Sequence, residues 1–215
     1  MFAAMSDDLR IRSLARRLAE ALPGDTAKAA LAPRPARGRL GRPPDPGARA
    51  AAVLVLLVPE AGALHLPLLR RRSIAGDVHG GQIALPGGGV EVGETVVDAA
   101  LREAHEELGI EPDTVDVLGR LSPQWIPVSG YRVEPVVGTA AVRPDLRPDP
   151  SEVDGAFWTD LDTLVRTRPT VRERRRVEGL MQMPGWELPH GFLWGATAMI
   201  LAELLAVIPP RRAGQ

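Results

Sequence analysis

The stretch LPGGGVEVGETVVDAALREAHEELGI, residues 85–110, decides how this chain is read. A glycine-rich turn runs into a helix predicted over residues 96–108. Thr95 suits its N-cap, Asp98 three residues on makes a weak capping box, and Gly109 suits the left-handed position past the last turn. Val97, Ala100, Leu101, Ala104 and Leu108 share one helical stripe fit to pack on a sheet. Glu103, Glu106 and Glu107 share the adjoining stripe, where like charges repel by roughly a few tenths of a kcal/mol per pair. Arg102 offsets part of that cost. A divalent cation resolves it: Mg²⁺ or Mn²⁺ takes hard oxygen ligands and leaves positions free for water and phosphate oxygens. The turn at residues 86–89 lets the backbone come close, so a carbonyl such as that of Gly87 can complete the shell. For an isolated EAHEE, a solvated acidic face bridged to arginines is the plainer reading.

The spacing changes that reading. Gly88, five residues, Glu94, seven residues and then REAHEELGI from Arg102 to Ile110 resemble the signature of the Nudix hydrolases at every defined position, nine residues across 23. The resemblance implies an α+β Nudix fold, a mixed β-sheet sandwiched between helices (α/β/α). It implies hydrolysis of a nucleoside diphosphate linked to another group. By position, Glu103, Glu106 and Glu107 are the expected metal ligands, and Arg102 with Glu94 is the expected ion pair bracing the loop against the helix. The signature does not name the general base. Glu106 and Glu107 stand first, with Glu152 behind them, since Glu152 in SEVDGAFW also suits a cap or brace of a strand.

Upstream, LLRRRSIAGDVHGGQIALPGG (residues 68–88) is similar to the motif LLTxRSxxLxxHxGQxxFPGG of the coenzyme A diphosphatase branch. Leu68, Leu69, Arg72, Ser73, His79, Gly81, Gln82, Pro86, Gly87 and Gly88 match it. Arg70, Gly76 and Leu85 depart from it, and the spacing from Glu94 to Arg102 follows the general signature, one residue shorter than is usual in that branch. VEPVVG (133–138) and LWGATAMILAELL (193–205) resemble the branch's later strand and terminal helix. The resemblance implies cleavage of coenzyme A to 3′,5′-ADP and 4′-phosphopantetheine. The alternatives are ADP-ribose or another nucleoside diphosphate derivative, and a non-catalytic binding module of the same fold. For substrate binding, Arg72, His79 and Gln82 suit an extra phosphate and an adenine. Each has a plain structural role too: His79 can satisfy a turn carbonyl, and Arg72 can pair with Asp77. Tyr131, in the loop IPVSGYR (126–132) expected at the pocket mouth, suits stacking and a core position equally.

The rest of the chain frames this site. With 45% apolar residues it can bury a normal core, and a formal charge of −1 gives no pull toward nucleic acid or an anionic membrane. Cysteine is absent, so thiolate nucleophiles and thiolate metal sites are excluded. The opening MFAAMSDDLRIRSLARRL lacks the pattern of a signal peptide, and a cytoplasmic protein is the expectation. Dimerisation is common in the resembled family and implies a homodimer here. Residues 1–49 read as an N-terminal helix over 7–22 and a Pro/Gly/Arg-rich connector, residues 50–208 as the catalytic domain and 209–215 as a tail. Strands are predicted over 51–58, 64–72, 115–121, 132–142 and 155–161, and a short strand running into a turn over 79–88. A buried terminal helix is predicted over 194–207, whose Glu203 argues against a membrane span. The arginines of VRERRRVEG (171–179) lie among glutamates without interleaved aromatics, which reads as a solvated loop or helix face.

Overall fold

The computed structural model describes residues 2–35, 47–73, 80–176 and 179–210. The chain begins with α1, Phe2–Leu18, which buries Ile11, Leu14 and Leu18 and leaves Leu9 in solvent. It stops four residues short of the predicted end. Pro23 cannot continue a helix, and the last turn closes with tight bonds from Ala19 N–H to Arg16 and from Glu20 N–H to Arg17. A single turn, α2 (Asp25–Lys28), follows and carries the wholly buried Lys28.

β1 (Arg49–Glu60) and β2 (Ala63–Arg71) form a hairpin through Ala61 and Gly62, both with positive φ, the twist that two-residue hairpin turns require. Then come β3 (Ile83–Ala84), β4 (Gly87–Gly89), α3 (Val96–Leu108), β5 (Asp116–Arg120), β6 (Gln124–Ile126), β7 (Tyr131–Thr139) and β8 (Val153–Asp160). These eight strands make one mixed sheet in the order β3-β2-β1-β7-β5, with β4 on β1, β6 on β7 and β8 on β2. Only β1 and β7 run parallel among its pairs. After α4 (Leu161–Arg166), strands β9 (Thr170–Arg176), β10 (Gly179–Leu188) and β11 (Gly191–Trp194) form a second sheet. The described chain closes with α5 (Gly195–Val207).

Successive residues of a strand face opposite sides, and β7 shows the consequence. Val136 belongs to the core cluster that includes Ala99, Ala100, Ala104 and Leu108 of α3. Val137 belongs to the cluster that includes α1 and α5. Helices therefore cover both faces of the large sheet, the layered α+β fold expected from the sequence. α1 shares its core with α5, so the N-terminal segment is packed into the same body as the rest.

Three expectations need correction. VRERRRVEG is not a loop or helix face; most of it is edge strand β9, paired with β10 from Thr170↔Gly185 to Arg176↔Gly179. Its charges hide the strand period, and charge on an edge strand discourages unwanted pairing. IPVSGYR is not one loop but the end of β6, a turn and the start of β7. The strand predicted to run to residue 142 ends at Thr139.

α5 is buried along its length, and its Glu203 is wholly buried. The carboxylate meets Lys28 Nζ at 3.3 Å and accepts hydrogen bonds from Gly24 N–H at 2.9 Å and Ser122 N–H at 3.2 Å. Lys28 also donates to the carbonyls of Ser122 at 2.7 Å and Pro123 at 3.1 Å. Burial lowers the Lys28 pKa, and Glu203 works against that shift. Among the described residues, no helix is long and apolar enough to cross a membrane.

Candidate active site

The site is built where β4 passes between β1 and α3. Ala52 pairs with Gly88 and Val53 with Gly87, and Leu54 N–H donates to Pro86 O at 2.9 Å. The approach is too close for side chains. A Cβ on Gly87, whose φ is +155°, would lie 2.2 Å from Ala52 O. A Cβ on Gly88 would lie 2.3 Å from Oε1 of Glu103. The two glycines thus bring backbone against the α3 carboxylates.

α3 is fixed at both ends as its sequence requires. Asp98 N–H donates to Thr95 Oγ1 at 3.2 Å, Thr95 N–H donates back to Asp98 Oδ2 at 3.4 Å, and Gly109 takes the left-handed conformation. Arg102 then ties helix to loop. Its Nε and Nη2 grip Glu94 at 2.9 and 3.1 Å, and Nη2 also donates to Gly89 O at 3.0 Å. Its Nη1 donates to Glu103 at 3.0 Å and to Glu106 at 2.9 Å. The Arg102 side chain holds the Glu94 carboxyl below its ordinary range.

The three signature glutamates do not share one environment. On a helix, positions 103 and 107 lie about 40° apart, as do 102 and 106, so the four residues form two adjacent pairs. Glu103 and Glu107 line a cavity of about 400 Å³. Glu106 does not line it; it is exposed and bound to Arg102. Glu107 is 3% exposed, and Gly87 N–H donates to its Oε2 at 2.8 Å. Burial pushes its carboxyl up to about 7, against the pull of that amide and of Arg71, with the charges of Glu103 and Glu152 adding to the rise. Burial raises Glu103 as well.

These donors suit a hard cation in kind: all are carboxylates, and a neighbouring glycine makes room for one of them. Their present arrangement is not a finished cage. Among the described residues, no three acidic or histidine side chains converge closely enough to hold an ion. Binding of one ion by all three glutamates requires Glu106, which lies outside the cavity, to turn toward it.

The other predicted residues divide. Gln82 and Tyr131 line the cavity, and the Arg49 guanidinium sits 4.1 Å from the Tyr131 ring centre. Arg72 does not reach the cavity; its guanidinium donates to the Pro150 carbonyl and its N–H to Glu152 O. Arg71 lines the cavity instead. Arg71 is the last residue of β2 and has the phase of Leu69, which faces the α3 core, whereas Arg72 lies past the end of the strand. His79 lies outside the described residues. Glu152, ranked behind the helix glutamates, lines the cavity from the segment before β8.

The apolar part of the wall comes largely from β6 and α5. Trp125 and Ile126 of β6 and Met199 and Ile200 of α5 contribute, with Trp194 and Thr197 beside them. The cavity is therefore carboxylate-lined toward α3 and largely apolar toward α5, with a few polar groups between.

Comparison with known proteins places this architecture. The NUDIX domain family matches residues 48–181. A protein of Klebsiella pneumoniae named uncharacterized Nudix hydrolase NudL is 38% identical over 192 residues, 84% of this chain and 91% of its own. A protein of the same name from Escherichia coli is 42% identical over 164 residues, 73% of this chain and 81% of its own. The solved structure of a Nudix hydrolase from M. smegmatis, RenU, matches with a TM-score of 0.52 at 22% identity, over 75% of this chain and 88% of that one. That likeness speaks for the fold alone. From the family match and the identity shared with these relatives, the chain belongs to the Nudix family.

Proposed function

We propose that this protein is a metal-dependent hydrolase that splits the diphosphate of coenzyme A, or of its derivatives, into 3′,5′-ADP and 4′-phosphopantetheine. The observation that carries the reading is that Glu103, Glu107 and Glu152 all line a cavity that Gln82 and Tyr131 line as well. The upstream motif supplies the choice of coenzyme A. Gln82 of that motif is at the cavity, whereas Arg72 is not, so phosphate contact by the arginine pair falls to Arg71.

Glu103, Glu106 and Glu107 would hold Mg²⁺ or Mn²⁺, with the Gly87 carbonyl as a further oxygen. Such an ion neutralises diphosphate charge, polarises phosphorus and lowers the pKa of a water molecule. The chain's own residues do the rest. The Arg102–Glu94 pair holds the loop on the helix, so that Gly87, Gly88 and the carboxylates keep one geometry. A carboxylate takes the proton of the attacking water as its oxygen bonds to phosphorus and the bridging P–O bond breaks. Glu107 and, behind it, Glu152 are the candidates for that base, and both line the cavity.

The test is turnover of a panel of diphosphates with Mg²⁺ or Mn²⁺. Coenzyme A should show the highest kcat/KM. ADP-ribose or a nucleoside triphosphate turned over far better would move the assignment to another substrate of the same chemistry.

A further inference from the structure

We infer that the buried Lys28–Glu203 pair is a positioning node for substrate selection, fixing three separate stretches of chain as the apolar wall of the active-site cavity. The inference rests on the hydrolase reading above and adds to it the residues that set which diphosphate is accepted.

The wall is assembled from parts far apart in sequence. Pro33 comes from the segment before β1, Trp125 and Ile126 from β6, and Met199 and Ile200 from α5. In the hydrolase reading the diphosphate lies with a cation at Glu103 and Glu107, on the α3 side of the same cavity. Apolar side chains give a diphosphate nothing to bond, so what packs on them is the less polar remainder of the substrate. The shape of this wall therefore sorts substrates that share one scissile bond.

Each part of the wall lies a few residues from the node. Lys28 precedes Pro33 by five residues, Pro123 precedes Trp125 by two, and Glu203 follows Ile200 by three, just under one helical turn. The node joins these parts through directed bonds. The Glu203 carboxylate accepts from Gly24 N–H at 2.9 Å and Ser122 N–H at 3.2 Å, and Lys28 Nζ stands 3.3 Å from it. Lys28 donates in turn to the carbonyls of Ser122 at 2.7 Å and Pro123 at 3.1 Å. Past Pro33 the chain is pinned again, since Arg34 and Gln182 exchange backbone hydrogen bonds of 2.9 Å in both directions.

Stability alone is a weak reason for such a pair. Both side chains are wholly buried, and the cost of taking two charges out of water offsets much of their attraction. What the pair adds is direction. Apolar contacts let neighbouring segments slide by fractions of an ångström, whereas hydrogen bonds of fixed geometry hold them in register. The three segments held here all continue into the lining of one cavity.

The experiment combines Glu203→Gln, which keeps the side-chain size and removes its charge, with Met199→Ala in the wall. The substrate is coenzyme A, or ADP-ribose where the panel above favours it, so the choice of substrate and the role of the node are decided separately. Glu203→Gln should raise KM about tenfold, the order of one apolar group lost from a pocket. Its kcat, and its inhibition by inorganic diphosphate in Mn²⁺, should stay at wild-type values, because a loss of uniform binding leaves the chemical step alone. In the double variant the rise in KM should fall short of the product of the two single effects, since both act on one wall. A folded Glu203→Gln with wild-type KM, a fall in kcat at unchanged KM, or single effects that multiply overturns the inference and leaves the hydrolase reading intact.

Amide exchange of the wild type decides the matter even where the glutamine variant fails to fold. Gly24 and Ser122 do not line the cavity, yet the same substrate at saturation in chelator should slow exchange of both amides together with that of Ile200. Slowing at Ile200 alone, or at none of the three, refutes the node.

Discussion

The amide of Gly87 donates a 2.8 Å hydrogen bond to Oε2 of Glu107, joining the glycine turn to the buried carboxylate of the helix. One residue is there because nothing larger fits, and the other is held at a place where its charge is costly. That pairing makes the protonation of Glu107 a property of the site.

Metal binding should accordingly depend on pH. With its pKa raised to about 7, Glu107 in the metal-free fold carries a proton that the unfolded chain, at the ordinary 4.5, has lost between those values. This group therefore adds stability to the metal-free fold below 4.5 and loses that contribution as pH rises through about 7. A cation competes with the same proton, so its affinity should climb as pH rises through about 7 and level off above. Calorimetric titration with Mn²⁺ across that range checks this; an affinity that does not change with pH would contradict it.

The two turn glycines should fail differently. Gly88→Ala presses on the carboxylate of Glu103, a flexible side chain, so the fold should survive with activity reduced at least about tenfold by the displaced ligand. Gly87→Ala meets the Ala52 carbonyl, which cannot swing aside, and demands a positive φ of an L side chain. It should lower the melting temperature clearly. Thermal melts and kcat of both variants separate the cases; equal melting temperatures would count against the close approach.

Arg102→Lys is not a conservative change here. The guanidinium serves Glu94 with two nitrogens and reaches Gly89 O, Glu103 and Glu106 as well, which a single ammonium cannot match. A loss of about 1 kcal/mol, or about 2–4 °C in melting temperature, is expected, with kcat falling more than KM changes. Unchanged kcat would show that the brace does not position the carboxylates.

The Lys28–Glu203 pair gives a test remote from the chemistry. Lys28→Met leaves the buried Glu203 without its ion-pair partner and should cost about 3–5 kcal/mol in a denaturation experiment. Replacing both partners with apolar residues should recover only part of this, because Gly24 N–H, Ser122 N–H and the Ser122 and Pro123 carbonyls also lose partners. Full recovery in the double variant would mean that those backbone bonds add nothing.

What the sequence made legible follows its periodicities. The α3 caps and the strands at 51–58 and 64–72 were readable because each rests on local spacing or capping chemistry. The loop–helix ion pair was readable only from the spacing of Glu94 and Arg102, by resemblance. The motif points to Arg72, but β2 ends at Arg71 and Arg72 lies past it, a difference that a match of residue letters does not carry. The edge strand β9 was hidden because its alternation is between charged residues, with no apolar set to mark a face. The outward turn of Glu106 depends on which carboxylates a single guanidinium can reach, and the cavity wall of β6 and α5 depends on tertiary packing.

The most direct test of the central claim is a crystal of the protein soaked in Mn²⁺ and recorded for anomalous scattering. The account expects a peak between Glu103, Glu106 and Glu107, with Glu106 swung from Arg102 to reach it, and no peak in Glu106→Gln/Glu107→Gln crystals. A wild-type structure with no peak there, Glu106 still on Arg102 and Glu107 still held by Gly87 alone, would contradict it.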